Sequence, residues 1–524
     1  MGQRRRRAGT GRYHRTGACL LGAAALCGGV AAAGEVPVFV DATAVAGLSH
    51  AYEGGEAYVV GGGAAAFDCD GDLLPELAIA GAEQPLTLWR NTGRPGRPPS
   101  FERAEGPLVE PVLATTGVYP LDFDGDGVLD LFVLRFGRNL AMRGLGNCRF
   151  EDATDALALP QAKDWTTAFA ATWEDGADLP TLFVGNYVPR DRPLQERENC
   201  EPSYILRPQG GVYGRPVSLG KGACTLSALF LDWSGTGRID LRLANDREYY
   251  DRGQSEQLFR LTEDGVAEYG RDDGWDDVSL WGMGLAAEDI TGDPRPEIVV
   301  TSMADNRMEH LREGDAPAFE NIARELGTTA QRPPVGPDVR PSTAWHTEFG
   351  DANNDGWSDL LIIKGNVDEM PRMAGFDPDS LLLGGEDGFR EVGYEAGIAV
   401  DTKGRGAVFQ DINGDGALDL LTINRNQPVR LFAGRPMANF VTVDLRQDGP
   451  NAFAVGASVE MRLGDRILHK SRRVGGGHAG GALLPLHFGM GGADTAEVRA
   501  IWPDGTAGDW QSVEAGKSVT LTRP

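Results

Sequence analysis

Acidic residues of this chain recur in short loops with a fixed spacing. The loop that starts at Asp122 reads DFDGDGVLD, with carboxylates at positions one, three, five and nine. Carboxylate oxygens that converge from a short loop, completed by a backbone carbonyl and water, are the ligands that Ca²⁺ prefers. Gly125 and Gly127 allow the backbone to turn tightly around an ion. The spacing therefore predicts a calcium-binding loop.

Four further loops carry acidic, amide or hydroxyl side chains at the same positions. The predicted metal ligands are Asp68, Asp70, Asp72 and Glu76; Asp122, Asp124, Asp126 and Asp130; Asp289, Thr291, Asp293 and Glu297; Asp351, Asn353, Asp355 and Asp359; Asp411, Asn413, Asp415 and Asp419. Asp-Gly clusters also form turns without a metal, but a simple turn does not explain the acid that recurs at position nine. We expect up to about five structural calcium ions. Loops that start at Trp173 and Asp232 have lost most of these acids and are expected to be empty.

The loops belong to a repeat of about fifty to sixty residues. In each unit a small apolar run precedes the loop, and a β-rich run such as DLFVLRF follows it. A third short apolar run comes next, and many units end in an aromatic-acidic segment such as FEDAT. Four short strands per unit are typical of a propeller blade. The seven units predict an all-β fold, a seven-bladed β-propeller with calcium-binding loops.

The two ends of the repeat complement each other. The last unit has no aromatic-acidic strand after Leu431 and Phe432, whereas VFVDAT around Phe39 precedes the first loop and has no blade. A ring in which the N-terminal strand completes the seventh blade uses both segments and leaves no open sheet edge. An open array of repeats is the alternative.

Composition and charge restrict the partners. The 524 residues include 76 acidic and 50 basic side chains, for a formal net charge of −26. Such an acidic surface repels phosphate backbones and anionic lipid headgroups, which argues against nucleic acid as a partner.

The first 33 residues have the pattern of a secretory signal peptide. A basic start leads into an apolar stretch from Ala18 to about Val30, followed by small residues near Ala33. An uncleaved anchor is the alternative. No other segment is long and apolar enough to span a bilayer. We therefore expect a secreted or periplasmic protein without a transmembrane segment after signal cleavage.

Four cysteines follow residue 33, an even number that suits an oxidising compartment. Cys200 and Cys224 flank a stretch rich in Gly and Pro and are predicted to form a disulfide. A Cys69–Cys148 pair follows only by elimination, and four free thiols are the alternative.

A different pattern begins at about Pro436. The alternating segments NFVTVDL, AVGASVEMRL and EVRAIW predict a small β-sandwich-like domain. The predicted organisation is a signal peptide at 1–33, a propeller at 34–435 and a C-terminal β domain at 436–524. Lys470, Arg472 and Arg473 are predicted to lie on a solvated strand face, with a basic patch as the alternative.

Both parts of the chain resemble known families. The acidic repeats, from about Val36 to Arg435, resemble the FG-GAP/VCBS repeats of integrin α-subunit propellers. The tail resembles the ASPIC/UnbV module of cartilage-acidic-protein-like and bacterial relatives; the matching residues are Asn451, Gly456-Ala457, Arg472-Arg473-Val474, His487 to Gly491 and Trp502 to Gly505. The resemblance implies structural calcium and extracellular recognition or adhesion. Gly480-Gly481-Ala482 stands where the family usually has an aromatic residue and a Ser-Gln pair, so no binding role is carried over to that loop.

The sequence contains no recognisable catalytic motif. Its histidines show no HxH or HExxH spacing, and no GxSxG, Walker or dinucleotide-binding fingerprint occurs in a supporting context. His346 is predicted to pack near the propeller axis. We therefore expect a non-catalytic ligand-binding, adhesion or assembly protein whose partner is an extracellular or periplasmic protein or glycan.

The alternative is a propeller enzyme with a site on the top face, either a hydrolase or lyase acting on carbohydrate or a redox accessory. Fold alone does not decide between these classes. Five tryptophans either form a carbohydrate platform or pack in the core: Trp89, Trp165, Trp275, Trp281 and Trp345.

Overall fold

Short antiparallel strands make up most of the regular structure. The computed structural model describes residues 34–106, 110–190, 199–246, 255–263, 265–276, 278–367 and 370–524. The predicted signal peptide lies outside the described residues. Residues Gly34–Pro524 pack as one unit. In the described part of the chain, no helix has the length and apolar composition to cross a lipid bilayer.

The first strands of the fold follow the order of the sequence repeat. They are β1 (Phe39–Asp41), β2 (Ala64–Phe67), β3 (Glu76–Ile79), β4 (Thr87–Asn91), β5 (Phe101–Arg103), β6 (Thr115–Leu121), β7 (Asp130–Gly137), β8 (Leu140–Gly144), β9 (Phe150–Asp152), β10 (Asp164–Thr172), β11 (Thr181–Asn186), β12 (Tyr204–Leu206), β13 (Pro208–Gln209), β14 (Val212–Tyr213) and β15 (Val217–Ser218).

The second half of the repeat continues in the same way. Its strands are β16 (Thr225–Leu231), β17 (Asp240–Asn245), β18 (Gln257–Thr262), β19 (Gly265–Glu268), β20 (Gly282–Glu288), β21 (Glu297–Ser302), β22 (Arg307–Leu311), β23 (Phe319–Asn321), β24 (Ala344–Gly350), β25 (Asp359–Lys364), β26 (Asp377–Pro378), β27 (Ser380–Leu383), β28 (Arg390–Glu391), β29 (Asp401–Thr402), β30 (Gly404–Gln410), β31 (Asp419–Asn424) and β32 (Arg430–Gly434).

The strands pair into groups of four that form a ring. Within the described residues the groups are β2–β5, β6–β9, β10–β11–β12–β15, β16–β19, β20–β23, β24–β25–β27–β28 and β30–β31–β32–β1. The first strand of each group contacts the first strands of both neighbouring groups, and β30 contacts β2. In the last group, Phe39 of β1 lies opposite Gly434 of β32. The N-terminal strand thus occupies the position that the sequence predicts, and the fold is an all-β propeller.

Helical segments in the described chain are single turns. They are α1 (Thr43–Ala46), α2 (Ala323–Leu326), α3 (Gly393–Ala396) and two 3₁₀ turns at Glu56–Tyr58 and Arg271–Asp273.

Two disulfides link parts of the propeller. Cys200 is bonded to Cys224, the pair that the sequence favours, and Cys69 is bonded to Cys148.

The C-terminal domain has eight strands, and seven of them form two packed sheets. They are β33 (Asn439–Gln447), β34 (Ser458–Leu463), β35 (Arg466–Ser471), β36 (Gly481–Leu483), β37 (Leu486–Gly491), β38 (Thr495–Ile501), β39 (Gln511–Glu514) and β40 (Lys517–Arg523). One sheet has the order β37–β33–β40 and the other β35–β34–β38–β39. Their shared core contains Val441, Val459, Phe488 and Val498, all fully buried. Alternating apolar residues on both sheets thus produce a β-sandwich.

A segment of the C-terminal domain enters the centre of the ring. This channel segment, residues 474–483, forms backbone hydrogen bonds with Val118, Ala171, Ala228 and Leu285 on four first strands. Its last residues form β36, which pairs parallel with β2.

Glycines in the propeller make room for the channel segment. A Cβ on Gly63 would lie 1.8 Å from the Ala479 carbonyl oxygen, and a Cβ on Gly117 would lie 2.1 Å from it. Only a residue without a side chain allows so close an approach of two backbones.

The basic residues before the channel segment are not solvated, so that prediction was wrong. Lys470 forms an ion pair with Glu288 at 3.1 Å, and both side chains are 12% exposed. Arg472 is 3% exposed and pairs with Asp444. Arg473 donates to the Ala287 carbonyl, and burial lowers its pKa to about 10. Lys470 and Arg473 thus contact the propeller and Arg472 is buried within its own domain, so the three side chains do not form a surface basic patch.

Candidate functional site

Each acidic loop joins the first strand of its group to the second. In the second group the loop lies between β6 and β7, and its ninth position, Asp130, begins β7. Leu121 of β6 lies opposite Asp130, so the hairpin brings the first and ninth loop positions together.

The Asp122 loop gathers three carboxylates. Asp122 accepts the backbone N–H groups of Gly125 and Gly127 at 2.8 and 3.0 Å, which curls the loop. Carboxylate oxygens of Asp122, Asp124 and Asp130 lie within 4.8 Å of one another. Asp124 Oδ1 is buried and has no hydrogen-bond partner. An unpartnered oxygen beside two other carboxylates is a donor set for a hard cation.

The Asp68 loop repeats this arrangement. Oxygens of Asp68, Asp70 and Glu76 lie within 4.8 Å of one another, and Asp70 Oδ1 is buried without a hydrogen-bond partner. Cys69 and Cys148 lie beside Glu76, but their sulfurs form a disulfide and are not available as thiolate ligands.

Burial raises the pKa of the loop carboxyl groups, and nearby carboxylates add to the effect. The pKa of Glu76 and of Asp130 is raised to about 8, and that of Asp122 to about 6. In the other loops the pKa is raised to about 6 for Asp289 and Asp411, to about 7 for Asp351, and well above the usual value for Asp359 and Asp419. Because a divalent cation compensates several carboxylates at once, the residues present fit Ca²⁺.

The Asp351 and Asp411 loops are held by internal hydrogen bonds. Asp351 accepts the N–H groups of Asp355 and Gly356 at 3.0 and 2.7 Å, and Asn353 Nδ2 donates to Asp355 Oδ2 at 2.9 Å. The Asp411 loop forms the corresponding bonds with Asn413, Asp415 and Gly416. Among the described residues, the acids of these two loops do not approach one another as closely as those of the Asp68 and Asp122 loops.

The Asp289 loop combines one acid oxygen without a hydrogen-bond partner with two acids that are paired within the protein. Asp289 Oδ2 is buried without a hydrogen-bond partner. Glu297 accepts a hydrogen bond from Thr291 Oγ1 at 3.1 Å and lies 2.7 Å from His310 Nδ1. Asp293 pairs with Arg295.

The fifth-position acids of the two closest clusters point outward. Asp72 and Asp126 are exposed, and each accepts a backbone N–H two residues later at 2.8 Å. They act as turn acceptors and lie outside the groups of oxygens that meet within 4.8 Å.

The two loops that have lost most of the repeated acids are held by side-chain hydrogen bonds. In the Asp232 loop, Ser234 and Thr236 lie 2.8 Å apart through their hydroxyl oxygens. In the Trp173 loop, Glu174 accepts from Arg207 at 2.6 Å and from Thr181 at 2.5 Å.

The C-terminal domain packs on the loop end of the propeller, which sequence reasoning missed. His487 Nε2 lies 2.7 Å from Asn354 Oδ1, and Gly491 N–H donates to the Asn354 carbonyl at 2.7 Å. The Arg466 guanidinium lies 3.5 Å from the ring centre of Trp357. Asn354 and Trp357 both belong to the Asp351 loop.

The entry of the channel segment into the ring had a signal in the sequence, the glycine-rich run around His478. A run with few side chains suits entry into a crowded space.

Titratable groups at the centre of the ring are buried among backbone groups. The ring nitrogen Nε2 of His478 accepts a hydrogen bond from Gly61 N–H at 3.0 Å. The backbone N–H of His478 donates to His346 Nδ1 at 3.1 Å. Burial lowers the pKa of His478 to about 3. Arg405 is fully buried and donates to the carbonyls of Val59 and Asn366. His346 is thus packed at the centre, as predicted.

The tryptophans do not form an exposed platform among the described residues. Trp89, Trp165, Trp275 and Trp345 are at most 5% exposed, and Trp281 is partly buried. They pack in the core, the second of the two roles that the sequence allows.

Two family models match parts of the chain. The model described as FG-GAP-like repeat matches residues 68–133, and the model described as ASPIC and UnbV matches residues 447–524. No curated protein sequence is significantly similar to this chain.

Solved structures give distant matches. The BBS1N structure, in complex with ARL6DN, is 14% identical over 76% of this chain and 97% of that chain, with a TM-score of 0.44. An Agrocybe aegerita lectin that recognises non-reducing terminal N-acetylglucosamine is 16% identical over 66% and 86%, with a TM-score of 0.34. A hypothetical selenium-binding protein from Sulfolobus tokodaii is 8% identical over 69% and 77%, with a TM-score of 0.41.

The matched regions agree with the architecture. Residues 68–133 contain the Asp68 and Asp122 loops, and residues 447–524 contain the channel segment and most of the β-sandwich. The chain therefore combines a β-propeller in which residues 68–133 match the FG-GAP-like repeat with a C-terminal region in which residues 447–524 match the ASPIC and UnbV model.

Proposed function

We propose that this protein is an exported, calcium-stabilised binding protein without catalytic activity. The observation that carries the proposal is the pair of buried carboxylate oxygens, Asp70 Oδ1 and Asp124 Oδ1, that have no hydrogen-bond partner and lie within carboxylate clusters. The other oxygen of each carboxylate pairs with an arginine, Asp70 with Arg90 and Asp124 with Arg143. The buried oxygen that has no partner is still costly, and a bound cation removes that cost.

Calcium has a structural role in this proposal. The five acidic loops predicted from the sequence bind up to about five ions, with the Asp68 and Asp122 clusters as the best-formed sites. The loop end of the propeller also carries the C-terminal domain, through Asn354 and Trp357. Bound calcium therefore stabilises both the hairpins and the surface on which that domain packs.

Export is supported by the cysteines and by the first 33 residues. The disulfides Cys69–Cys148 and Cys200–Cys224 suit an oxidising compartment. In that setting the propeller acts as a ligand-binding, adhesion or assembly protein, with an extracellular or periplasmic protein or glycan as its partner.

The absence of catalysis is supported by the centre of the ring. His346, His478 and Arg405 converge there, but all three are at most 2% exposed. Their hydrogen bonds to backbone groups leave them as supports for the channel segment rather than as an open reaction site.

The test is calcium binding and thermal unfolding of the chain without residues 1–33. Each occupied site stabilises the native state by RT ln(1 + [L]/Kd), about 2.7 kcal/mol at a hundredfold excess over Kd. We expect isothermal titration to detect calcium binding and a chelator to lower the melting temperature. Magnesium should substitute poorly, because it demands a smaller and more rigid octahedral site.

Two results would contradict the proposal. A melting curve that does not move on chelation would show that the loops are turns only. Mass spectrometry of the native protein that finds an intact N-terminus, or cysteines alkylated without reductant, would exclude export.

A further inference from the structure

A cleft separates part of the C-terminal domain from the propeller. This interdomain cleft has a volume of about 610 Å³ and is lined by Asp70 and Asp411 on the propeller side and by Phe440, Phe453, Arg472 and His487 on the other. A volume of this size accommodates a small organic molecule or a short oligosaccharide.

Arg472 contributes an unused donor to the wall of the cleft. Its side chain is only 3% exposed. Both terminal nitrogens donate hydrogen bonds, to the carbonyls of Leu445, Phe453 and Leu484 and to Asp444 Oδ1. Arg472 Nε is buried and has no hydrogen-bond partner. A buried N–H without an acceptor is unfavourable unless a ligand or water supplies one.

His487 contributes an unused acceptor. The Asn354 side-chain amide donates to the Gly416 carbonyl at 2.7 Å, so its Oδ1 is the acceptor for His487 Nε2. Nε2 therefore carries the proton, and the other ring nitrogen is an acceptor. His487 is 9% exposed, and its Nδ1 has no hydrogen-bond partner.

Charges in the wall are largely paired within the protein. Asp444 accepts from Arg472 at 2.8 Å and from Arg446 at 2.8 Å, and Asp70 pairs with Arg90. The Phe440–His487 stack supplies flat apolar surface, whereas the Arg446 guanidinium covers one face of the Phe453 ring at 3.9 Å. Paired charges disfavour a strongly ionic ligand, whereas one unused donor and one unused acceptor favour hydroxyl groups, which donate and accept together.

We propose that the interdomain cleft binds a neutral saccharide, from one to about four sugar units. Its hydroxyl groups would bond to Arg472 Nε and His487 Nδ1, and the apolar faces of the sugar rings would lie on the apolar wall. This inference rests on the proposed role as a binding protein and names the class of its ligand, and it does not depend on the absence of catalysis.

The test begins with the full mature chain on a panel of neutral, sialylated and sulfated mono- to tetrasaccharides, in calcium. The best neutral saccharide is then titrated calorimetrically against the wild type and three variants. Thr442→Trp and Ser518→Trp place an indole in the cleft, since Thr442 and Ser518 both line it. Thr520→Trp is the control, because Thr520 is exposed in β40 and lies outside the cleft.

We expect both cleft variants to bind at least about tenfold more weakly, because the indole occupies the ligand's space, and the control to bind as the wild type does. Binding of no saccharide, binding only of acidic saccharides, or unchanged binding by both cleft variants would overturn the proposal. Calcium-dependent melting of each variant keeps the two proposals distinguishable. A variant that loses saccharide binding but is still stabilised by calcium has retained its fold and its calcium-binding loops. Ser518 is exposed, so that variant tests the cleft even if Thr442→Trp does not fold.

Discussion

The Asp122 and Asp232 loops occupy the same place in their groups and are held together differently. In both, the first aspartate accepts the N–H of the glycine at position six, Gly127 at 3.0 Å and Gly237 at 2.5 Å. At position nine, Asp130 accepts two backbone N–H groups. Asp240 Oδ2 instead accepts from Trp233 Nε1 at 2.6 Å and Tyr269 Oη at 2.7 Å, with Arg238 at 3.3 Å.

The comparison shows two ways to compensate a buried acid at position nine. Each loop has one buried carboxylate oxygen without a hydrogen-bond partner, Asp124 Oδ1 and Asp240 Oδ1. Only in the Asp122 loop do three carboxylates meet within 4.8 Å, and this cluster calls for a cation. In the Asp232 loop an indole, a phenol and a guanidinium supply donors from the protein itself. Hydrogen bonds to a charged group contribute about 1.5–3 kcal/mol each, so a few of them can replace an ion in a hairpin of the same shape.

The largest expected effect comes from removing the acid of the ion-free loop. Asp240→Ala leaves Trp233 Nε1 and the Tyr269 hydroxyl buried without this acceptor, which should cost about 3–5 kcal/mol. Urea unfolding should show the same loss in calcium and in chelator, because no ion holds this loop. A loss that appears only in calcium would show that the Asp232 loop binds metal, and the comparison would fail.

Removing one ligand charge from the Asp122 loop should produce a calcium-dependent effect instead. Asp124→Asn keeps the shape of the side chain, so it should reduce stability in calcium by up to about 2.7 kcal/mol, the contribution of one site at a hundredfold excess over Kd. In chelator the variant should lose only the partly exposed ion pair with Arg143, which contributes about 1 kcal/mol or less. Thr236→Ala, at the fifth position of the Asp232 loop, is the control and should change little in either condition. Equal losses from Asp124→Asn with and without calcium would contradict the metal assignment.

A comparison of the wild type with His478→Gln at acidic pH tests the channel segment, because the carboxyl groups of the Asp122 loop, whose pKa is also raised, titrate alike in both proteins. Burial lowers the pKa of His478 from 6.5 to about 3, so the unfolded chain takes up the proton first as the pH falls. The stability contributed by neutral His478 is therefore complete above about pH 6.5 and is lost progressively toward about pH 3. Between pH 6.5 and pH 5 the loss is about 2 kcal/mol. His478→Gln retains an acceptor for Gly61 N–H but does not titrate. Between pH 6.5 and pH 5 the free energy of unfolding of this variant should therefore fall by about 2 kcal/mol less than that of the wild type. If the free energies of unfolding of the two proteins, measured in calcium, fall in parallel with pH, the prediction is contradicted.

Much of the propeller can be predicted from the sequence because each repeat unit contains the residue pattern of its own strands and loop. The acids at Asp122 and Asp130 fall at the two ends of one hairpin, and the segment around Phe39 pairs with β32, as local pattern and repeat count predict. The outward direction of Asp126 was not readable, because spacing alone does not say which way a fifth-position side chain points. The position of Lys470 and Arg473 depends on packing between the domains, which alternation along a single strand does not encode. The same holds for the entry of His478 into the ring.

The smallest effect we predict tests one donor of the ion-free loop. Tyr269→Phe removes the hydroxyl that donates to Asp240 Oδ2 at 2.7 Å, while Trp233 Nε1 still donates to the same oxygen. Because Tyr269 is 4% exposed and packs edge-on against Trp233, the phenylalanine ring keeps the apolar contacts. We expect a loss of about 1–2 kcal/mol in urea unfolding, the contribution of one hydrogen bond to a charged acceptor. The loss should be the same in calcium and in chelator, and it should not exceed that of Asp240→Ala. A larger loss in chelator than in calcium would mean that an ion normally shares Asp240, and the separation between the two kinds of loop would not hold.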